Sequence, residues 1–332
     1  MTSLPVGATV RQAYGFAIRG FLRNLAIVWL SEVMLGALVV LSVPPLLDAL
    51  THTLAGISGH HPNFIVLAAG GATVMRYAML LAVAGLFFRA QIMTGLTQRA
   101  LGQRAGYAGV YLSLGATFWR VFGAYVLIFL LLMAVQLAAT LLLIVPAIAL
   151  AGFNHGTASG AAHPDLGIAV VAFFVLWRIA LLVVVTYIFI RLSFVVTAVI
   201  VAEQRFDLIR AWRLVDGNVL RIFVIGLVLF VPILLILALA YGLIFGGQIW
   251  ALVHTLAHAQ PHHGRQLVVD LVQGIVGSVR GLFIKRGFLL VPLGLIAATL
   301  EYGLAAGAGV SGYKLLVSGR DNGEGSLSSR TA

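Results

Sequence analysis

The sequence predicts an all-α fold: a polytopic integral membrane protein with about six transmembrane helices in three tandem helix-pair repeats, joined by amphipathic elbow helices on the cytoplasmic side. Three observations predict it. Apolar residues make up 61% of the chain and charged residues 9%, with mean hydropathy +1.07. A soluble domain carries about 25% charged residues, so this chain has too few to cover a water-facing surface. Charge-free stretches such as Val121 to Phe153 exceed the ~20 residues that a spanning helix needs. Finally, the pair Arg76 and Arg89 reappears 102 positions later as Arg178 and Arg191.

The repeat sets the organisation. Each copy opens with an amphipathic stretch ending in arginine, at Arg23, Arg120 and Arg221, and an apolar span follows: Leu25–Leu47, Val121–Ala151 and Ile222–Phe245. A short turn region leads to a second span. The third copy departs from the pattern, with Arg286 near the place of the first arginine and Glu301 near that of the second. The modules run over about 9–105, 106–204 and 205–318, within a single membrane domain of residues 1–318. The polar tail 319–332 is expected to be disordered and cytoplasmic. The first span is too long for a cleavable signal and reads as a signal anchor.

The opening stretches carry a helical pattern. Val10, Tyr14, Ala17, Ile18, Phe21 and Leu22 recur at helical spacing, with Arg11, Gln12, Arg19 and Arg23 on the other face. Phe206, Ile209 and Trp212 opposite Arg210 and Arg213 repeat the idea. Such helices are expected in the headgroup plane, or else as extensions of the spans into the cytosol.

Orientation follows from the Lys/Arg bias. Arginines from Arg11 to Arg23, Arg99 to Arg120 and Arg205 to Arg221 gather on one side, whereas the opposite loops His52–Pro62 and Asn154–Pro164 hold no Lys or Arg. The third opposite loop is less clean, with Arg265, Arg280, Lys285 and Arg286 in or near it. Both termini are therefore expected in the cytoplasm. The net charge of +11 is read as topology and as attraction to anionic lipid headgroups of the phospholipid bilayer. No basic run with interleaved stacking aromatics is present, so no nucleic acid is expected as a partner. With no cysteine, disulfides, iron–sulfur clusters and thiolate metal sites are excluded.

Arg191-Leu-Ser-Phe, then Glu203, then Ile209 through Asn218 and Arg221 form a recognisable series, as do Leu96 through Leu101, Trp119-Arg120 and Ile144-Val-Pro146. Over roughly residues 10 to 315 the chain resembles the membrane domain associated with glycerophosphoryl diester phosphodiesterases and the related YciC-like bacterial inner-membrane proteins. The resemblance implies a bacterial inner-membrane protein, in some relatives joined to a soluble phosphodiesterase barrel. Only a short polar tail follows the last span, so the barrel and its activity are not expected here.

Two placements of the second spans stand open. If they run from Phe64 to Phe88 and from Leu166 to Ile190, Arg76 and Arg178 lie mid-bilayer. If they run from Arg76 to Gln98 and from Arg178 to Glu203, then Arg89, Arg191, Glu32 and Glu301 share a layer roughly 13 to 20 Å deep at ~1.5 Å per residue. The second is favoured because lone charges in hydrocarbon are costly and pairing relieves that cost. It predicts an intramembrane ion-pair layer of Arg89, Arg191, Glu32 and Glu301. That layer either locks the modules together or binds a lipid phosphate or relays protons; misplaced spans would instead let these groups snorkel to an interface.

All nine histidines fall in or beside the predicted outer loops, and His254 and His258 are one helical turn apart, a spacing that can hold a transition metal. The plainer reading is that outer loops must be polar yet avoid arginine. Gly303-Leu-Ala-Ala-Gly307 predicts close helix packing, within the protein or against a membrane-protein partner or second copy in a homo-oligomer. Pro146, Pro232 and Pro292 predict kinks. No phosphate-cradling loop, Ser–His–acid set or catalytic carboxylate pair emerges, so no catalytic residue and no cofactor are expected. The expected role is a non-catalytic inner-membrane protein that contacts phospholipid or scaffolds membrane partners. The alternative is a transporter or channel using the buried charges at the repeat interface.

Overall fold

In a computed structural model the described residues (3–58, 64–103, 111–156, 164–257 and 291–318, with Gly274 and Gly277) form eight helices and no strand. They are α1 (Val6–Arg19), α2 (Phe21–Ser58), α3 (Phe64–Ala100), α4 (Ala116–Gly156), α5 (Pro164–Glu203), α6 (Leu208–Val215), α7 (Val219–Ala257) and α8 (Val291–Ser318). All but α1 and α6 are long and apolar enough to cross a membrane, and the chain is a multi-pass membrane protein. The predicted tail 319–332, most of the third outer loop and His258 lie outside the described residues.

Helices α2, α3, α4, α5 and α7 contain 37 to 41 residues. At ~1.5 Å per residue that is close to twice the ~30 Å hydrocarbon thickness. Burial shows how the excess is used. In α5, Val195, Val196 and Val199 to Val201 are sealed inside the protein, whereas Leu176, Leu182 and Val183 are more than 60% exposed. Helix α3 divides the same way, with Ala90, Ile92 and Leu96 buried and Ile65, Met75 and Met79 exposed. So do α4, from Phe118 to Leu142, and α7, from Ile222 to Leu243. One end of the molecule, the packed end, holds the core; the other, the open end, presents apolar side chains outward. The charge-free run Val121 to Phe153 was too long for one bilayer crossing because its first turns, with Val121, Ala124 and Tyr125, belong to that core.

The elbows fold into the packed end. Leu4 N donates to Asn218 Oδ1 (2.9 Å) and the Tyr14 hydroxyl to Val228 O (3.1 Å), both 214 positions apart, so α1 runs beside the start of α7 in the same direction. On another side, Ala13 and Ala17 face α8. A Cβ on Gly307 would come within 3.0 Å of Ala13 Cα, and one on Gly303 within 3.3 Å of Ala17 Cβ. Small residues on both helices let part of the apolar face of α1 pack inside the protein, Ala17 against α8 and Tyr14 against α7, while Ile18 of the same face is 61% exposed. The small-residue motif acts within the chain. Gly309 and Gly312 extend the contact to α5, where a Cβ on Gly309 would meet Phe194 O at 2.7 Å.

The other elbows turn back on the helix that precedes them in the chain. Residue Tyr111 is buried beside Gly95, and the Gln91 amide pairs with both backbone groups of Ser113, at 2.7 and 3.1 Å. Helix α6 packs on α5 in the same manner. It is bracketed by Gln204 (φ 53°) and Gly217 (φ 73°), left-handed residues that reverse the chain, and Asp207 caps it by accepting from Arg210 N (2.8 Å).

Both placements of the second spans fall inside single unbroken helices, α3 and α5. Helix α2 continues past His52 to Ser58, so the first outer loop begins later than the sequence suggests. It also passes through Pro44 and Pro45, as α7 passes through Pro232.

Candidate functional site

The four charges expected in one layer separate into two constellations where the packed end gives way to the open end.

The first surrounds Arg191. Tyr187 and Arg191 are four residues apart on α5, and Trp212 and Asp216 are four apart at the end of α6, so each pair shares a face. The Arg191 guanidinium forms an ion pair with Asp216, donates to the Tyr187 hydroxyl (2.9 Å) and lies 4.1 Å from the centroid of the Trp212 ring. Tyr187 and Trp212 meet edge to face at 6.4 Å. Arg191 is 8% exposed and its Nε is buried without a hydrogen-bond partner. Burial is tolerated because a carboxylate and an aromatic face replace water around most of the cation. This constellation holds α6 against α5. A second pair secures the other end of α6, where Arg210 Nε donates to Glu203 (2.5 Å), which also accepts from the Tyr313 hydroxyl (3.2 Å). The Glu203 hydrogen bond lifts the Arg210 pKa above its ordinary value, so that guanidinium stays charged far beyond neutral pH.

The second constellation draws on α2, α3, α4, α5 and α8. Glu32 on α2 interacts electrostatically with Glu301 and Tyr302 on α8, and Arg89 acts on Tyr125 and Tyr302. The Arg89 guanidinium sits 6.0 Å from the Tyr125 ring, and the Tyr125 hydroxyl is 2.9 Å from Thr197 Oγ1. Arg89 and Glu301 are exposed and Glu32 is half-buried. Among the described residues the ion pairs within 4.0 Å are Arg191–Asp216 and Arg210–Glu203. Arg89 forms an ion pair with neither Glu32 nor Glu301.

Arg76 and Arg178 are exposed among exposed apolar neighbours, including Met75, Met79, Leu176 and Ile179. Arg76 lies 5.7 Å from the Tyr77 ring. His254 is exposed on α7, and its proposed partner His258 lies outside the described residues. No group of three metal-binding side chains comes together among the described residues.

The structure pairs Arg191 with Asp216, whereas sequence reasoning expected it in one layer with Arg89, Glu32 and Glu301. It missed Asp216, Trp212, Tyr187, Tyr125 and Tyr302. The two four-residue spacings, Tyr187/Arg191 and Trp212/Asp216, were the available signal. Comparison with family models, with curated proteins and with solved structures found no match to this chain.

Proposed function

We propose that the chain is a non-catalytic protein of a bacterial inner membrane that holds phospholipid around its packed end, with both termini in the cytoplasm. The observation that carries this reading is the surface of that end. Trp119, Phe206, Ile209 and Leu220 are exposed there, interleaved with exposed Arg205, Arg210, Arg213 and Arg221. Apolar side chains with arginines beside them suit the boundary between acyl chains and phosphates, and clustered arginine favours the cytoplasmic face. The resemblance to the phosphodiesterase-associated membrane domain supports the same membrane, and its catalytic activity is not transferred. Anionic lipid headgroups are the expected partners, and membrane proteins scaffolded by the same surface are compatible with them.

Native mass spectrometry of protein released from a mild membrane mimic tests this reading. Retained phospholipid that falls when Arg205, Arg210 and Arg213 are changed to Gln supports it. Folded protein that retains none overturns it.

One observation favours a transporter as the second reading: Glu32, Arg89 and Glu301 stand on α2, α3 and α8, helices long and apolar enough to cross a membrane, and charges on such helices mark transport paths. Single cysteines placed at Val28 and Ala124, in a chain that has none, distinguish the two. Labelling by a water-soluble thiol reagent would reveal an aqueous path; protection at both would remove it.

A further inference from the structure

We infer that Arg76 and Arg178 bind phospholipid phosphates of the leaflet on the open side, and so mark where the hydrocarbon ends on that side. This goes beyond the lipid reading above, which concerns the packed end, and it rests on the geometry of the spanning helices alone.

Two close contacts set the register of α2 against α3. A Cβ on Gly95 would come within 2.8 Å of Ile27 Cγ2, and one on Gly70 within 3.1 Å of Thr53 Cβ. The intervals Ile27 to Thr53 and Gly70 to Gly95 differ by a single residue, so the two helices run antiparallel and in step past Pro44 and Pro45. Counting equally from Thr53 back along α2 and from Gly70 forward along α3 reaches Asp48 and Met75, the residue before Arg76. Asp48 and Arg76 are therefore level, and both are exposed. At the other end of the pair the Arg99 guanidinium donates to Gly20 O (3.1 Å) and to the Asn24 side chain, which is next to Arg23 in the chain.

These two levels are one bilayer apart. Arg23 to Asp48 on α2, Arg76 to Arg99 on α3 and Arg178 to Glu203 on α5 are nearly equal intervals, roughly 35 to 38 Å at ~1.5 Å per residue. That exceeds the ~30 Å hydrocarbon core and falls inside the ~40–45 Å that includes the headgroups. Each interval encloses a single charge, Glu32, Arg89 or Arg191. The exposed side chains of the first hairpin change at the same level. Inward of Arg76, Met79, Leu80 and Val83 are exposed; outward, the exposed residues of α3 include Ala68, Ala69, Gly71 and Ala72, and α2 carries Asp48, Thr51, His52 and Thr53. Tyr77 and Trp177 adjoin the two arginines, and the Arg76 guanidinium is 5.7 Å from the Tyr77 ring; such aromatics gather at the membrane–water boundary. An exposed guanidinium at that depth presents forked donors that match phosphate oxygens.

The test places single cysteines, each carrying a spin label, at exposed Ala69 and Val83 on α3 and Phe173 and Val184 on α5 of the full chain. In bilayers of phosphatidylethanolamine and phosphatidylglycerol, collisions with oxygen report hydrocarbon and collisions with a water-soluble nickel chelate report water. Oxygen should dominate at Val83 and Val184 and nickel at Ala69 and Phe173, with the crossover within one helical turn, ~5.4 Å, of Arg76 and Arg178. Arg76→Gln combined with Arg178→Gln removes the phosphate contacts and lets the apolar helices slide inward. Nickel collisions at Phe173 should then fall to the level seen at Val184. A label at buried Val195 should stay shielded from both reagents, which shows that the variant keeps its fold; if it does not, Arg178→Gln alone is read at Phe173. Oxygen dominance at Ala69 and Phe173 in the otherwise unmodified chain, or a crossover that stays in place without the arginines, overturns this inference. Neither result touches the packed-end lipid reading, which is measured by lipid retention.

Discussion

The two ends of α5 are chemically alike and structurally opposite. Residues Ala180 to Ile190 and Leu192 to Ala202 are both apolar runs rich in Val and Ile, yet Leu182 and Val183 are exposed while Val195 and Val199 are fully buried. Composition does not separate them, because lipid is as apolar as a protein core and gives no hydrophobic drive to bury one segment over the other. The difference comes from what each segment meets. The packed end has glycines at Gly303, Gly307, Gly309 and Gly312 that admit close neighbours, and polar anchors at Arg191–Asp216 and Tyr125–Thr197. At the open end of α7, Gly242, Gly246 and Gly247 would meet nothing within 4 Å. In this membrane protein small residues and polar ties decide which apolar surface becomes core.

Cavity formation should break the symmetry most strongly. Ile200→Ala empties a site that is 0% exposed and is expected to cost ~2–5 kcal/mol. Leu235→Ala at the open end, where the side chain is 65% exposed, should cost little. Thermal unfolding in detergent compares the two; equal losses would contradict the division.

Overpacking comes next. Gly309→Ala forces a methyl group against the Phe194 carbonyl and is expected to cost ~1–3 kcal/mol. Gly242→Ala, with open space around it, should be neutral or stabilising by up to ~1 kcal/mol through the higher helix propensity of Ala. The same unfolding assay should therefore show changes of opposite sign or clearly different size.

Asp216→Asn removes the partner of a buried arginine. Because Asp216 is itself 61% exposed, water replaces part of the lost interaction, and the expected cost is ~1–2 kcal/mol. Trp212 fluorescence should shift as α6 loosens from α5; an unchanged spectrum with unchanged stability would show that the pair is dispensable. Glu203→Gln should have the smallest effect, under ~1 kcal/mol, since Arg210 is 44% exposed. The Arg210 pKa is raised on folding, so this contribution is fully present at neutral pH and is lost only as pH rises through the arginine range. Stability around neutrality should not vary with pH on account of Arg210.

The spans were legible from their length and missing charges. The core was not legible, because inward and outward positions of α3, α4 and α5 carry the same residue types. Counting residues along the helices assigned Arg89, Arg191, Glu32 and Glu301 a common depth. Arg191 could not be matched to Asp216 in that way. Its partner sits on an elbow that turns back through Gln204 and Gly217, and depth counted along a straight helix assumes no such return. Among helix contacts, Gly303 and Gly307 signalled close packing, but nothing in their spacing named α1 rather than a second copy as the neighbour.

The central claim is that α5 changes from lipid-facing to protein-facing near Arg191. It is tested most directly by placing single cysteines along residues 173–201 of this cysteine-free chain, attaching a spin label and measuring oxygen accessibility in bilayers. The account predicts high accessibility at Leu176, Ile179, Leu182 and Val183, falling to near zero at Val195, Val196 and Val199. A helical oscillation of constant amplitude through all of those positions would show that both ends face lipid alike and would contradict it.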